Sequence, residues 1–289
     1  MSKGRAPRIG AWFLALAAHG LACRTGQPRA PSWSSDGGEL GQQIRQARVP
    51  GATHLQFESS ILKREVGAVV VTPPGYAEHP GHRYPVVYVF PGIGGDEFTY
   101  LRDVGLDSAA VRALFADPER APILVFANPA DSGGYAQAQR VLSEELVGFI
   151  DVRYRTRAVP EARGLEGFSL GGATALSLLL HRPDVFGQAV ALSSACYLLS
   201  TCRELRRGLV TRAKLQPLAR VMLALGEREI SQNRALSEEL APLLAAELQV
   251  VSGVDHDWAA LIGSGATAPR LGERIAEFHL SGFAGARRE

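Results

Sequence analysis

The sequence predicts an α/β sandwich, and three observations carry that reading. Short apolar runs recur along the chain, several of them too uniformly apolar for a sheet with one face in water. Stretches of helical length and spacing separate these runs. Glycine-rich turns follow two of them. Alternating β and α elements imply a mostly parallel central sheet with helices on both faces. The chain of 289 residues is 46% hydrophobic and 21% charged, enough apolar material for one large core.

At the N-terminus, Lys3, Arg5 and Arg8 precede an apolar run from Ile9 to Ala22. The run is short for a bilayer-spanning helix, and a basic head before a short apolar stretch reads as an export signal, residues 1–22. It ends in Leu21-Ala22-Cys23, which resembles a bacterial lipobox, with Gly20 where an aliphatic residue is usual. Cys23 is therefore expected to carry a lipid, with cleavage by an ordinary signal peptidase as the alternative. The expected location is outside the cytoplasm, periplasmic or held at a bacterial membrane by that anchor.

Residues 23–50 are rich in Ser, Gly, Pro, Gln and Arg and read as a linker, so the catalytic domain is expected over residues 51–289. Removing Cys23 leaves Cys196 and Cys202, which could form a disulfide in an oxidising compartment or remain two free thiols. They lack the neighbouring ligands of a zinc site. Net charge is only +2 with basic residues scattered, so the footprint of a nucleic-acid binder is missing.

Within the domain, strands are expected at Glu65 to Thr72, Pro85 to Phe90, Ile123 to Ala127, Gly164 to Phe168, Gln188 to Ser193, Val221 to Leu225 and Leu248 to Val251. Helices are expected at Ser108 to Phe115, Val141 to Ile150, Gly171 to Leu180 and Asn233 to Leu244, the last shortened or kinked by Pro242.

The strand ending at Phe168 runs into Gly167-Phe168-Ser169-Leu170-Gly171-Gly172 and then an apolar helix. A strand that turns sharply into a helix needs glycines beside the turn residue, and the strain pushes the serine hydroxyl outward. Ser169 is the candidate nucleophile, with the Leu170 amide beside it as an oxyanion donor. The bland alternative is a serine that only caps the helix.

A base and an orienting acid are expected downstream. His256, in the loop after the last strand, is the histidine that fits the order serine, acid, histidine. The acid belongs to the turn after Leu225, where Glu227 and Glu229 both stand; Glu229 is preferred and Glu227 is the rival. Asp255 and Asp257 flank the histidine too closely in sequence to face it and read as loop charges.

A second glycine-rich loop, Pro91-Gly92-Ile93-Gly94-Gly95-Asp96, follows an apolar strand and can bring amides close to a carbonyl. The Lys and Ser/Thr of a phosphate-binding loop are absent after it. With this loop in place, the domain resembles the branch of α/β-hydrolases that includes esterase D, enterochelin esterases, feruloyl esterases and mycolyltransferases. The matching stretches are Val71 to Tyr76, Tyr84 to Gly92, Gly167 to Gly172, Arg182 to Gly187, Asn233 to Leu236 and Asp255 to Trp258. The resemblance implies Ser169 as nucleophile, His256 as general base, Glu229 as orienting acid, and the amides of Leu170 and Ile93 as the oxyanion hole. Two departures stand out: Phe-Pro-Gly where His-Gly is common, and Glu where many relatives carry Asp.

The expected activity is hydrolysis of a carboxylic ester through an acyl-enzyme, with no metal or organic cofactor. Small-molecule and polysaccharide-linked esters are the candidate substrates. An acyltransferase of the same fold and a non-catalytic surface-anchored binding protein are the alternatives. Asn128 to Tyr135 and Tyr197 to Lys214 are the expected pocket-lining segments, the latter as a lid.

Overall fold

The computed structural model describes residues 35–128, 135–194, 220–244, 246–263 and 269–285. The expected export signal, Cys23, Cys196, Cys202, the segment Tyr197 to Lys214 and most of the loop after Asn128 lie outside the described residues.

Eight strands form one sheet in the order β1-β2-β4-β3-β5-β6-β7-β8. They are β1 (Ala52–Ser59), β2 (Arg64–Val71), β3 (Val86–Phe90), β4 (Ile123–Ala127), β5 (Arg163–Phe168), β6 (Gln188–Leu192), β7 (Arg220–Gly226) and β8 (Glu247–Val251). The β1–β2 and β2–β4 pairs are antiparallel, and the rest of the sheet is parallel. Every residue of β3, β4 and β6 is buried, which is why these strands show as unbroken apolar runs.

The helices are α1 (Gly38–Arg45), α2 (Thr99–Asp103), α3 (Ala109–Leu114), α4 (Tyr135–Arg140), α5 (Val147–Arg153), α6 (Leu170–His181), α7 (Ser231–Leu243), α8 (Trp258–Ile262) and α9 (Pro269–Gly285). A π-helical segment, Val141–Leu146, joins α4 to α5.

Side chains alternate across each strand, so the sheet has a core on either face. Val86, Tyr88, Phe90, Leu165 and Leu223 pack with Leu142, Ile150 and Leu176 on one side. Val87, Val89, Phe126, Leu192 and Met222 pack with Val111, Leu261 and Ile275 on the other. All seven expected strands are present, with ends displaced by a residue or so. Pro242 neither shortens α7 below Leu243 nor lies far from its end: it takes away the N–H that would bond the Glu238 carbonyl, and the helix stops one residue later.

The expected linker needs correction. Its end forms α1, and Ile44 of that helix is 3% exposed within the second core, so the fold begins ahead of Gly51. The helix carries only one large buried apolar side chain, and its composition therefore looks like linker.

Candidate active site

The turn between β5 and α6 is strained as its sequence requires. Ser169 has φ 54 and ψ −115, in the half of backbone space that residues with a Cβ seldom enter. A methyl group on Gly167 would stand 2.2 Å from the Gly171 carbonyl, and one on Gly171 would stand 2.2 Å from the Phe90 carbonyl oxygen. Glycine at both positions is thus a packing requirement. The Ser169 amide donates to the Leu192 carbonyl at 2.8 Å, tying the turn to β6. The Ser169 side chain makes no capping hydrogen bond to α6, which removes the reading of a simple helix cap.

The turn after β7 sorts the two carboxylates. The Glu229 amide donates to the Gly226 carbonyl at 3.1 Å, closing a turn that carries the Glu229 side chain inward and leaves Glu227 exposed. Glu229 Oε1 accepts from His256 Nδ1 at 2.8 Å, with the carboxylate fully buried and the imidazole 36% exposed. Glu227 instead accepts from the Gly253 amide at 2.9 Å. The two loops are pressed together: a methyl on Gly226 would lie 2.4 Å from the Val254 carbonyl oxygen.

Burial alone would raise the Glu229 carboxyl, but the hydrogen bond from His256, with Ser193, the imidazole charge and Asn233, holds it below the usual carboxylate range. An ionised Glu229 places the proton on Nδ1 and leaves Nε2 free to accept one. Asn233 Nδ2 approaches Glu229 Oε1 at 3.3 Å. Asp255 accepts from the His256 amide, and Asp257 caps α8 through the Ala260 amide at 2.9 Å, so both serve the loop backbone.

Phe168 connects His256 to the Ser169 turn. Its ring lies 4.6 Å from the His256 ring and stacks on Trp258 at 5.5 Å and 10°. The imidazole therefore rests on the residue next to Ser169. Among the described residues no hydrogen bond joins the serine hydroxyl to the ring; such contacts often tighten only with substrate bound.

The glycine-rich loop after β3 closes the site. The Gly95 amide donates to the Gly92 carbonyl at 3.1 Å, and Gly94 has φ +75, the signature of a turn with a left-handed third residue. A methyl on Gly92 would sit 3.3 Å from Ser169 Cβ, so the peptide between Gly92 and Ile93 borders the nucleophile. The Ile93 side chain is 65% exposed. Gly92, Ile93, Thr99, Phe168 and Trp258 line a cleft of about 390 Å³. A larger hollow of about 590 Å³ lies between α1 and Arg102; Ser169, His256 and Glu229 line neither of the two.

A serine on a strained strand-to-helix turn, a carboxylate–imidazole couple and a mostly parallel sheet feeding loops at one edge define an α/β-hydrolase. Residues 59–202 match the model of the family described as "Putative esterase". The chain is 29% identical over 167 residues to Esterase Rv1288 of Mycobacterium tuberculosis, covering 55% of this chain and 35% of that protein. It is 29% identical over 157 residues to an endo-1,4-beta-xylanase/feruloyl esterase of Xylanibacter ruminicola, covering 50% of this chain and 22% of the relative. S-formylglutathione hydrolase of Staphylococcus aureus superposes with a TM-score of 0.61 at 15% identity, covering 79% of this chain and 96% of that one. These likenesses give the chain an α/β-hydrolase fold, with residues 59–202 similar to the esterase family. It spans about a third or less of the curated relatives it matches.

Proposed function

We propose that the protein hydrolyses carboxylic esters through an acyl-enzyme on Ser169. The 2.8 Å couple between His256 Nδ1 and Glu229 Oε1, beside a serine at φ 54, carries this reading. Ser169 Oγ attacks the ester carbonyl while Nε2 of His256 takes its proton, and Glu229 stabilises the imidazolium that results. The oxygen, now negative, is received by the amides of Leu170 and Ile93. Collapse breaks the bond to the alcohol, which leaves with the proton from His256. Water, deprotonated by the same imidazole, then attacks the acyl-serine, and the carboxylic acid departs.

The cleft next to the Ser169 turn has Phe168, Trp258 and Ile93 as flat and aliphatic walls and Thr99, Asp103 and Asp257 as polar ones, which supports an ester whose planar portion carries hydrogen-bonding groups. Feruloyl esterase in the name of one relative agrees with a phenolic ester. The test is hydrolysis of p-nitrophenyl acetate and methyl ferulate by wild type beside Ser169→Ala and His256→Ala. Turnover in wild type and a loss of about 10³-fold or more in kcat in both variants supports the reading. Equal turnover in all three, or none in wild type, overturns it.

A further inference from the structure

Below the turn that presents Ile93 stands a second glutamate–histidine couple, which the proposed chemistry does not use. Glu97 is 0% exposed. Its Oε1 accepts from the Ser35 amide at 2.8 Å and lies 3.2 Å from His54 Nε2, while its Oε2 is buried without a partner. The His54 side chain, on β1, is 3% exposed, and its ring packs 4.8 Å from that of Phe98. A carboxylate taken wholly out of water is costly, and apolar packing would close this space more cheaply unless the charge has a use.

Its place in the chain suggests the use. The turn runs from Gly92 to Gly95, and Glu97 follows two residues later. At its near end the turn is carried by Pro91 at the exit of β3, with Gly92 against Ser169. Its middle, Ile93 and Gly94, is exposed, and the turn is closed on itself by the bond from the Gly95 amide to the Gly92 carbonyl. The position of the Ile93 amide is therefore set by how firmly the two ends are held. The far end is held twice. Asp96 accepts from Arg102 at 2.8 Å and from the Phe98 amide at 3.0 Å, which fixes the turn to α2. Glu97 fixes it to β1 through His54 and to the start of the fold through Ser35.

We propose that Glu97 is a positioning residue for ester hydrolysis: through His54 and the Ser35 amide it holds the oxyanion turn at the height at which the Ile93 amide meets the developing charge. The inference rests on the reading of Ser169 and Ile93 given above. It also gives the segment from Ser35 to Arg45 a task, since a stretch with linker composition supplies one of the two donors to Glu97.

Oxyanion stabilisation acts in the transition state and little in the ground state, so misplacing the turn should lower kcat and spare KM. The experiment compares wild type with Glu97→Ala, Glu97→Gln and His54→Leu, and with Asp151→Asn as a control. Asp151 pairs with Arg163 at the start of β5, the opposite end of that strand from Ser169. For each, kcat and KM are measured on p-nitrophenyl acetate, with melting temperature and affinity for a trifluoromethyl ketone. In Glu97→Ala, kcat should fall about 10- to 100-fold with KM within about threefold, and ketone affinity should fall in parallel. Glu97→Gln, which still accepts from the Ser35 amide, should recover most of the loss. Asp151→Asn should lower the melting temperature and leave kcat alone.

A folded Glu97→Ala with kcat within about twofold of wild type, or with a raised KM alone, overturns the inference. Should that variant not fold, a folded His54→Leu with kcat within about twofold of wild type overturns it equally. A wild type that neither turns over ester nor labels at Ser169 with a fluorophosphonate sinks the esterase reading and this inference together. An active, labelled wild type beside a Glu97→Ala variant of unaltered kcat sinks this inference alone.

Discussion

The glutamate–histidine couples Glu229–His256 and Glu166–His279, both close to the Ser169 turn, contrast in what they leave open. Glu229 and His256, on the loops after β7 and β8, meet at 2.8 Å, and the imidazole is 36% exposed. Glu166, three residues before Ser169 on β5, faces His279 of α9 at 3.6 Å, with side chains 3% and 0% exposed. The His279 ring lies between Phe278 and Phe283, and a methyl on Gly164 would stand 2.7 Å from its Nδ1. Among the described residues neither ring nitrogen of His279 has a hydrogen-bond partner. Composition is the same in both couples, and access differs. A histidine serves as a base when one nitrogen is held and the other is open to a substrate. His256 meets that condition, and His279 is sealed into the packing between sheet and helix.

The largest expected effect separates the couples by rate. Glu229→Gln should lower kcat by about 10³- to 10⁴-fold, because an amide can hold the wrong tautomer in place. Glu166→Gln should leave kcat within a few-fold. Burst and steady-state release of p-nitrophenol measure both, and a comparable loss in the two variants would break the distinction drawn from access.

Next comes stability. His279→Leu leaves a buried carboxyl at Glu166 without its neighbour, and an unpaired buried charge should cost about 3 kcal/mol in urea unfolding. The double variant Glu166→Leu/His279→Leu should regain most of it, since apolar groups fill the same space. A double variant as unstable as the sum of the two single ones would show that the pair does not act as a unit.

Much of this architecture is legible in the sequence because burial on both faces of a parallel strand leaves unbroken apolar runs, as in β3, β4 and β6. β1 is less so: it is an edge strand in which exposed and part-buried positions alternate between buried ends, and His54, Gln56 and Glu58 dilute the pattern. α9 hides for another reason. Gly272 and Gly282 interrupt its helical pattern, yet methyl groups there would come within 2.6 Å of the Ile262 carbonyl oxygen and 1.9 Å of Gln188 Oε1, so close approach demands them. At the site, the serine turn and the histidine loop are readable from local motifs. The couple of His54 and Glu97 is not, because the two residues lie 43 apart in sequence and chain order alone sets His54 aside.

A smaller effect follows from pH. Burial would raise the carboxyls of Asp96, Glu145 and Glu229, but their hydrogen bonds outweigh it and lower all three. A carboxyl lowered in the folded state adds stability above its unfolded value, and that stability is lost as pH falls through the lower folded value. The melting temperature should therefore decline on acidification below about pH 4.5. Glu145 accepts from the Ser60 and Ile61 amides at the β1–β2 turn, at 2.8 and 3.2 Å, so Glu145→Gln should flatten part of that decline. An unchanged slope would place the acid sensitivity elsewhere.

The smallest effect sharpens the choice between neighbouring carboxylates. Glu227 acts on the histidine loop mechanically, through one hydrogen bond from the Gly253 amide, at a glycine with φ +74. An amide oxygen accepts that bond nearly as well as a carboxylate, so Glu227→Gln should keep kcat within about twofold. Glu227→Ala removes the strap and frees the loop that carries His256, lowering kcat by less than about tenfold with little change in KM. A deep loss in Glu227→Gln would mean that its charge reaches the imidazole despite facing solvent, and the division between an inward acid and an outward strap would fail.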